Sequence, residues 1–375
     1  MFEQTKALCN SFLRIGIPGF DLAVWQNGRC VLRHMGGFSD PEKKIPINGT
    51  ETYYIYSCSK PITCAAALQL WEQGLFSLED PLSKFLPEFS HMMVATPDGL
   101  RNARQPILIR HLFEMTAGFS YDIHSPHLED FRTASNGQCP TREAIRALAA
   151  EPLLFEPGAQ WNYSLCHDVL AALVEVLSGQ LFEDYVQAHI FRPLGMNDST
   201  FLPSKADFSR LARHYQYDAE THTYIDLGTI NQYILGSAYA SGGAGCVSTV
   251  DDYMKFLEAL RVGDTILKKE TVALMATGRL NEQQAQTFTH GKAHGFGLGV
   301  RTPKAGISTD FGWGGAAGAY LAVDLTHHIS LYYAQHVLTS PVQSAREQIF
   351  DAVLADLQGR TIALPEFDEA YRFTY

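Results

Sequence analysis

Positive charge is scarce in this chain: 29 lysines and arginines stand against 40 aspartates and glutamates, a formal charge of −11. That balance argues against nucleic acid or an anionic membrane as a partner. No apolar run reaches the roughly eighteen residues a membrane-spanning helix needs, so none is expected. The opening, Met1-Phe2-Glu3-Gln4-Thr5-Lys6, lacks the basic and then apolar pattern of a signal peptide, and the chain reads as cytoplasmic. The seven cysteines (9, 30, 58, 64, 139, 166, 246) are an odd set with no Cys-x-x-Cys pair. They read as reduced, mostly buried thiols, not as a disulfide framework or a zinc site. His290 and His294 have no accompanying Glu, and Gly291 and Lys292 lie between them, so no metal or other cofactor is implied. Internal repeats and low-complexity tracts are missing. So is a Gly-x-Ser-x-Gly elbow, which excludes the α/β-hydrolase route to a serine hydrolase.

What is present is a chain of 46% apolar and 11% aromatic residues, enough for a sizeable core, organised around residues 53–75. Tyr53 to Tyr56 is aromatic and β-branched and suits a strand. From Ile62 the pattern changes, with Leu68, Trp71 and Leu75 three and four apart, which suits a buried-face helix. Pro61 has no N–H and is tolerated only near the helix start. Ser57 therefore sits at or just before the first turn, and Lys60, three residues on, shares its face. A hydroxyl, an amine and a positive helix end form a candidate activated nucleophile, because that end favours the neutral amine. A Ser-x-x-Lys string also arises by chance roughly once in a chain of this length, and a capping Ser with a solvated Lys is the ordinary outcome. The rest of the chain has to decide.

In chain order, residues 2–15 suit an amphipathic helix ended by Gly16 and Pro18-Gly19. Phe20–Trp25 alternates like a strand, Asn27-Gly28 is a hairpin signal, and Arg29–His34 answers as the second strand. Residues 77–284 are mostly helical: Ile109–Met115, Thr141–Ala150, Val169–Leu177 and Phe182–Ile190 are helices, and 90–106 reads as a surface loop. Ser241–Gly245 reads as a flexible elbow, and Thr249 with Asp252 caps a helix over Tyr253–Arg261. Strand candidates then return at Phe296–Val300, Ile307–Phe311, Ala319–Val323 and Ile329–Ala334. Residues 341–358 form a closing helix. The expectation is a single catalytic domain over 1–375, of α/β (α+β) class. One antiparallel sheet is built from 1–76 and 285–375, flanked by helices, with 77–284 as a mostly helical insertion bounding a cleft.

Two further pieces carry chemistry. Tyr163, in Trp161-Asn162-Tyr163-Ser164-Leu165, stands just before a helix; such a Tyr is ordinarily packed, but beside a Ser/Lys pair a phenol can shuttle a proton. Phe311-Gly312-Trp313-Gly314-Gly315-Ala316-Ala317-Gly318 reads as a turn between strands, or as a strand edge whose backbone N–H joins that of Ser57 in an oxyanion hole. No Lys-Ser/Thr follows the glycines, so it is not a phosphate loop.

In this order, Ser57-Cys58-Ser59-Lys60, Tyr163-Ser164-Leu165 and Trp313-Gly314-Gly315 resemble the serine β-lactamase and penicillin-binding-protein superfamily. The similarity is greatest to the class C β-lactamase-like carboxylesterases called family VIII. Asp80–Pro87, Ile109–Leu112, Pro193–Met196, Ser241–Gly245 and Gly295–Gly299 extend the resemblance over most of the chain. Class C β-lactamases carry Tyr-x-Asn where this chain has Leu165, and Lys-Thr-Gly where it has Trp313. The resemblance implies a β-lactamase/transpeptidase-like fold and a serine hydrolase cleaving small carboxylic esters without a cofactor. Ser57 is its nucleophile and Lys60 and Tyr163 are its proton carriers. The amides of Ser57 and Ala316 form the oxyanion hole. Trp313, Gly314, Gly315, Leu165, Tyr121 and Tyr233 line the substrate site. With Trp313 in place of the Lys, the site is expected to lack a cation and to suit neutral acyl groups. A D-amino-acid peptidase or amidase, a weak β-lactamase, and a non-catalytic ligand-binding member are the other readings.

Overall fold

The computed structural model describes residues 1–367. Helix α1 (Glu3–Arg14) leads into a hairpin of β1 (Gly19–Gln26) and β2 (Arg29–Asp40), followed by the short β3 (Ile45–Pro46). Asn27 and Gly28 turn the hairpin at φ 52° and 77°, the left-handed geometry a two-residue type I′ turn requires. The middle of the chain supplies α2 (Ser59–Glu72), α3 (Cys166–Ser178) and α4 (Val250–Val262), with shorter helices between them. Thr249 caps α4 as its spacing predicts, its Oγ1 accepting from Asp252 N at 3.1 Å. Strands then resume: β4 (Gly295–Phe296), β5 (Arg301–Thr302), β6 (Phe311–Gly314), β7 (Tyr320–Asp324) and β8 (Ile329–Ala334), before α5 (Gln348–Gln358).

The eight strands form one sheet in the order β4-β5-β6-β7-β8-β1-β2-β3, every neighbouring pair antiparallel. Pairing of β8 with β1, Leu22 opposite Tyr333, joins the two ends of the chain. This is the β-lactamase/transpeptidase arrangement, of mixed α and β content. Alternate residues feed two cores, because successive side chains leave a strand on opposite faces. Phe20, Leu22, Val24, Leu331 and Tyr333 pack with Leu8 and Phe12 of α1 and Ile349 and Val353 of α5. Ala23, Leu321, Val323 and Tyr332 pack on the other side with α4, where Tyr253 lies 4.3 Å, centroid to centroid, from Tyr332. Strands β7 and β8 are buried throughout, which explains why they read as continuous apolar runs. Among the described residues, no helix is long and apolar enough to cross a membrane.

Several expectations need correction. Tyr53–Tyr56 is not a third strand of the main sheet: only Tyr53–Tyr54 is extended, paired with Val247–Ser248. Residues 90–106 are not a plain surface loop: they contain a small hairpin, Met93–Thr96 with Gly99–Asn102. Ser241–Gly245 is not a flexible elbow, since all five residues are buried. Phe296–Val300 is split between β4 and the turn into β5. Ile307 is 60% exposed in a turn, and the strand placed there begins at Phe311. Glycines 312 and 314 masked β6, as Gly weakens a strand signal. The closing helix starts at Gln348, after turns over 341–347.

Candidate active site

The segment before α2 is held from both sides. Tyr54 pairs with Val247, and Ile55 N donates to Cys246 O at 3.0 Å. Tyr56 then turns at φ 48°, a left-handed conformation that costs a bulky residue on the order of 1–3 kcal/mol. Burial offsets that cost: Tyr56 is fully enclosed, its hydroxyl hydrogen-bonded to His214 Nε2 at 2.9 Å and its ring set edge-on to Tyr233. The turn places Ser57 in a short 3₁₀ segment at the mouth of α2, with Lys60 one turn in.

Lys60 is 1% exposed. Its Nζ lies 3.2 Å from Ser57 Oγ and donates to Gly243 O at 2.7 Å, so the buried Ser241–Gly245 loop fixes the amine over the serine. The Tyr163 hydroxyl is hydrogen-bonded to the same Ser57 Oγ. Lys60 Nζ sits 4.5 Å from the Tyr163 ring centroid and 3.5 Å from the Tyr121 hydroxyl. Such a set can take the serine proton onto an amine or phenol and return it, which is the chemistry of an activated nucleophile.

A cavity of about 190 Å³ opens on this set, lined by Ser57 and Tyr163, by Trp313, Gly314, Gly315 and Ala316 of β6 and its turn, and by His290, Arg301, Gln343, Arg346 and Glu347. Trp313 forms a packed wall, stacked on Tyr163 at 5.9 Å and 17° and edge-on to Phe296. Ser57 and Ala316 thus share the cavity, as the oxyanion-hole reading requires. Tyr121 and Tyr233 stand behind that lining: Tyr121 stacks on Tyr163 at 5.2 Å, and Tyr233 meets Tyr121 edge-on. Burial pushes the phenol pKa values of both above their ordinary range. Leu165 lies in the core of the helical region at the start of α3, away from the lining.

The sequence reading missed two features. Asp168 is fully buried in the first turn of α3, and its Oδ1 accepts from Ser241 Oγ at 2.6 Å and Tyr239 hydroxyl at 2.9 Å. Burial raises its pKa, opposed by those donors and by Lys60. It braces the loop whose Gly243 carbonyl holds Lys60; a carboxylate directly before the apolar run Val169–Val174 was the available signal. The second is a correction. The cavity is not without a cation, because Arg346, from the turns before α5, donates Nη1 to Gly315 O at 2.6 Å beside Trp313. No local pattern links position 346 to the 57–60 segment, so the fold alone brings them together. His290 also lines the cavity, its Nδ1 3.5 Å from Glu347. Among the described residues, no group of three or more His, Cys, Asp or Glu is placed to hold a metal ion.

Comparison with known proteins bears on this geometry. The family model described as Beta-lactamase matches residues 5–354. Protein Rv1367c of Mycobacterium tuberculosis is 30% identical over 392 residues, covering 96% of this chain and 95% of that one. Esterase EstB of Burkholderia gladioli is 29% identical over 327 residues, covering 80% and 81%. Among solved structures, EstCE1, titled a hydrolase with promiscuous acyltransferase activity, superposes with a TM-score of 0.78 at 27% identity, covering 94% of this chain and 97% of that one.

Proposed function

The chain belongs to the Beta-lactamase family, and from that premise we propose that it is a serine carboxylesterase working through an acyl-enzyme on Ser57. One observation carries the reading: Ser57 Oγ lies 3.2 Å from Lys60 Nζ and is hydrogen-bonded to the Tyr163 hydroxyl, in the lining of a cavity. In this mechanism Ser57 Oγ attacks the ester carbonyl as its proton passes to the Lys60/Tyr163 pair. The amides of Ser57 and Ala316 stabilise the oxyanion. The tetrahedral intermediate collapses, breaking the C–O bond to the alcohol, and Tyr163 protonates the departing alkoxide. Water then attacks the acyl-enzyme with the same pair as base, releasing the acid and restoring the serine hydroxyl.

Similarity to EstB and EstCE1 supports ester cleavage over the other readings. The buried Leu165 supports it too, since it offers no amide of the kind that a β-lactam or D-alanyl peptide meets in class C enzymes. A non-catalytic member has no need of an amine buried against a serine. Unpaired thiols at all seven cysteines favour a reducing compartment and support a cytoplasmic location.

The test is turnover of p-nitrophenyl butyrate, nitrocefin and a D-alanyl anilide by the wild type and by Ser57→Ala. The ester should be the best substrate by kcat/KM, and Ser57→Ala should keep less than about a thousandth of its kcat. Retained ester turnover in the variant removes Ser57 as nucleophile. Nitrocefin turnover equal to that of the ester removes the esterase assignment.

A further inference from the structure

Ser57 and Ala316 come from opposite parts of the chain, yet two amides can hold one oxyanion only if their backbones keep a fixed spacing. One short stretch touches both sides. Val337 N donates to Ala317 O at 3.0 Å, next to Ala316. One residue earlier, His336 Nε2 accepts from Tyr54 N at 3.2 Å, on the segment that leads into Ser57. Tyr54 is paired with Val247 in a two-stranded ladder, and His336 supplies an acceptor from outside that ladder. The stretch is itself anchored: His336 Nδ1 donates to Ala212 O at 2.8 Å, and His336 O accepts from Tyr215 N at 3.0 Å. A backbone N–H can only donate and a carbonyl can only accept, so these two partners fix the ring as a neutral imidazole with its proton on Nδ1. His214 stacks on that ring at 4.3 Å and 22°, and its own Nε2 holds the Tyr56 hydroxyl at 2.9 Å. Both histidines are buried. Burial first, and then His214 beside it, holds the His336 pKa well below its ordinary value, against the pull of Ala212 O. The two sides also meet directly, since a Cβ on Gly315 would stand 2.6 Å from Ile55 O.

We propose that His336 is a positioning residue for the oxyanion hole: its imidazole, backed by His214, sets the Tyr54–Ser57 segment against the Ala316–Ala317 turn so that the amides of Ser57 and Ala316 converge on one point. The proposal rests on the esterase reading and adds to it a residue outside the cavity lining. Both partners of the ring are backbone atoms, so a change at 336 shifts backbone and not a neighbouring side chain. The amides are needed most as negative charge develops on the carbonyl oxygen, so the effect belongs in kcat and not in KM.

The test separates the two ring nitrogens. His336→Asn places an amide donor near the position of Nδ1 and offers no acceptor to Tyr54; His336→Gln reaches further and returns an oxygen to the position of Nε2. Turnover of ethyl butyrate and p-nitrophenyl butyrate is measured per site labelled by a phosphonate ester, so that misfolded protein is not counted. Affinity is measured for a trifluoromethyl ketone, which forms a hemiketal on Ser57 with its oxyanion in the same hole. His336→Asn should lower kcat per labelled site about 10- to 100-fold, the scale of a small misplacement of catalytic groups, and equally for both esters. KM should change less than about threefold, and affinity for the ketone should fall by a factor similar to that of kcat. His336→Gln should recover part of the loss. Unchanged kcat per labelled site in His336→Asn overturns the proposal, as does a His336→Gln variant no better than His336→Asn. A fall in kcat with ketone affinity intact overturns it too, since His336 then acts elsewhere than on the oxyanion. Nitrogen NMR of histidine-labelled wild type should show the Nδ1–H tautomer at neutral pH; a proton on Nε2 of His336 overturns the proposal without any variant. In each of these cases Ser57-dependent ester turnover by the wild type leaves the esterase reading standing. If the wild type turns over no ester and the phosphonate fails to label Ser57, that reading falls, and this proposal with it.

Discussion

Tyr163→Phe removes a single oxygen, so its effects on folding and on chemistry can be weighed separately. The ring keeps its two stacking partners, Trp313 at 5.9 Å and Tyr121 at 5.2 Å, and its contact with Lys60 Nζ at 4.5 Å. What disappears is the hydrogen bond to Ser57 Oγ, worth about 1 kcal/mol of stability in a typical case. Loss of a general acid costs about 10²–10⁴ in rate, which is about 3–5 kcal/mol in the barrier. The rate effect is thus several times the folding effect, and a near-normal melting temperature should accompany a large fall in kcat/KM. The size of that fall should depend on the leaving group. An alkoxide needs a proton as the C–O bond breaks, whereas p-nitrophenolate needs little help. Measuring kcat/KM for ethyl butyrate and p-nitrophenyl butyrate, from acid to alkaline pH, in wild type, Tyr163→Phe and Lys60→Ala separates the roles. Lys60→Ala should slow both esters severely, since the serine proton loses its amine acceptor. Tyr163→Phe should slow the alkyl ester more than the aryl ester. If it slows both by the same factor, Tyr163 does not protonate the leaving alcohol, and the mechanism has that step wrong.

Two other outcomes follow from buried groups. Asp168→Ala should leave the Ser241 and Tyr239 hydroxyls without their acceptor, costing about 1–3 kcal/mol for each unsatisfied donor, and should lower kcat more than it raises KM because the Gly243 carbonyl then no longer fixes Lys60; unchanged kcat in a folded variant means that the brace is irrelevant to the site. Burial pushes the pKa values of His111, His214 and His294 down to about 4 from an ordinary value of 6.5. The folded state therefore favours their neutral forms, a stabilisation present above about pH 6.5 and lost as pH falls towards 4, on the order of 2 kcal/mol per histidine by pH 5. Urea midpoints at about pH 7 and about pH 5 should differ less in His214→Gln than in wild type, and an identical difference rules out His214 as a contributor.

The parts of the fold written in local pattern were legible. Asn27-Gly28 demanded the hairpin, Thr249 with Asp252 demanded the start of α4, and the apolar run at 169–177 demanded α3, because each signal acts within one turn of chain. Strand β6 was obscured for the opposite reason. Its glycines carry no side chain to show a period; Gly314, and Gly315 just after it, let the Arg346 guanidinium and Ile55 lie against the backbone, contacts from elements far away in sequence. The Ser241–Gly245 loop misled in the same way. Its composition is that of a flexible joint, yet Lys60 and Asp168 tie it down through Gly243 O and Ser241 Oγ.

The same distinction explains the error about charge. Reading the site from its motifs treats each motif position as the sole source of its chemistry, so Trp313 in place of a lysine reads as a cation deleted. A cavity, however, requires a charge at a place, not at a position in sequence, and any element bordering that place can supply it. Here the turns before α5 border the Gly314–Gly315 edge, and the missing side chains of those glycines leave the room that a guanidinium needs. Trp313 and Arg346 thus border the same edge: the ring occupies the position on β6 from which an ammonium would have come, and the guanidinium reaches that edge from the turns before α5.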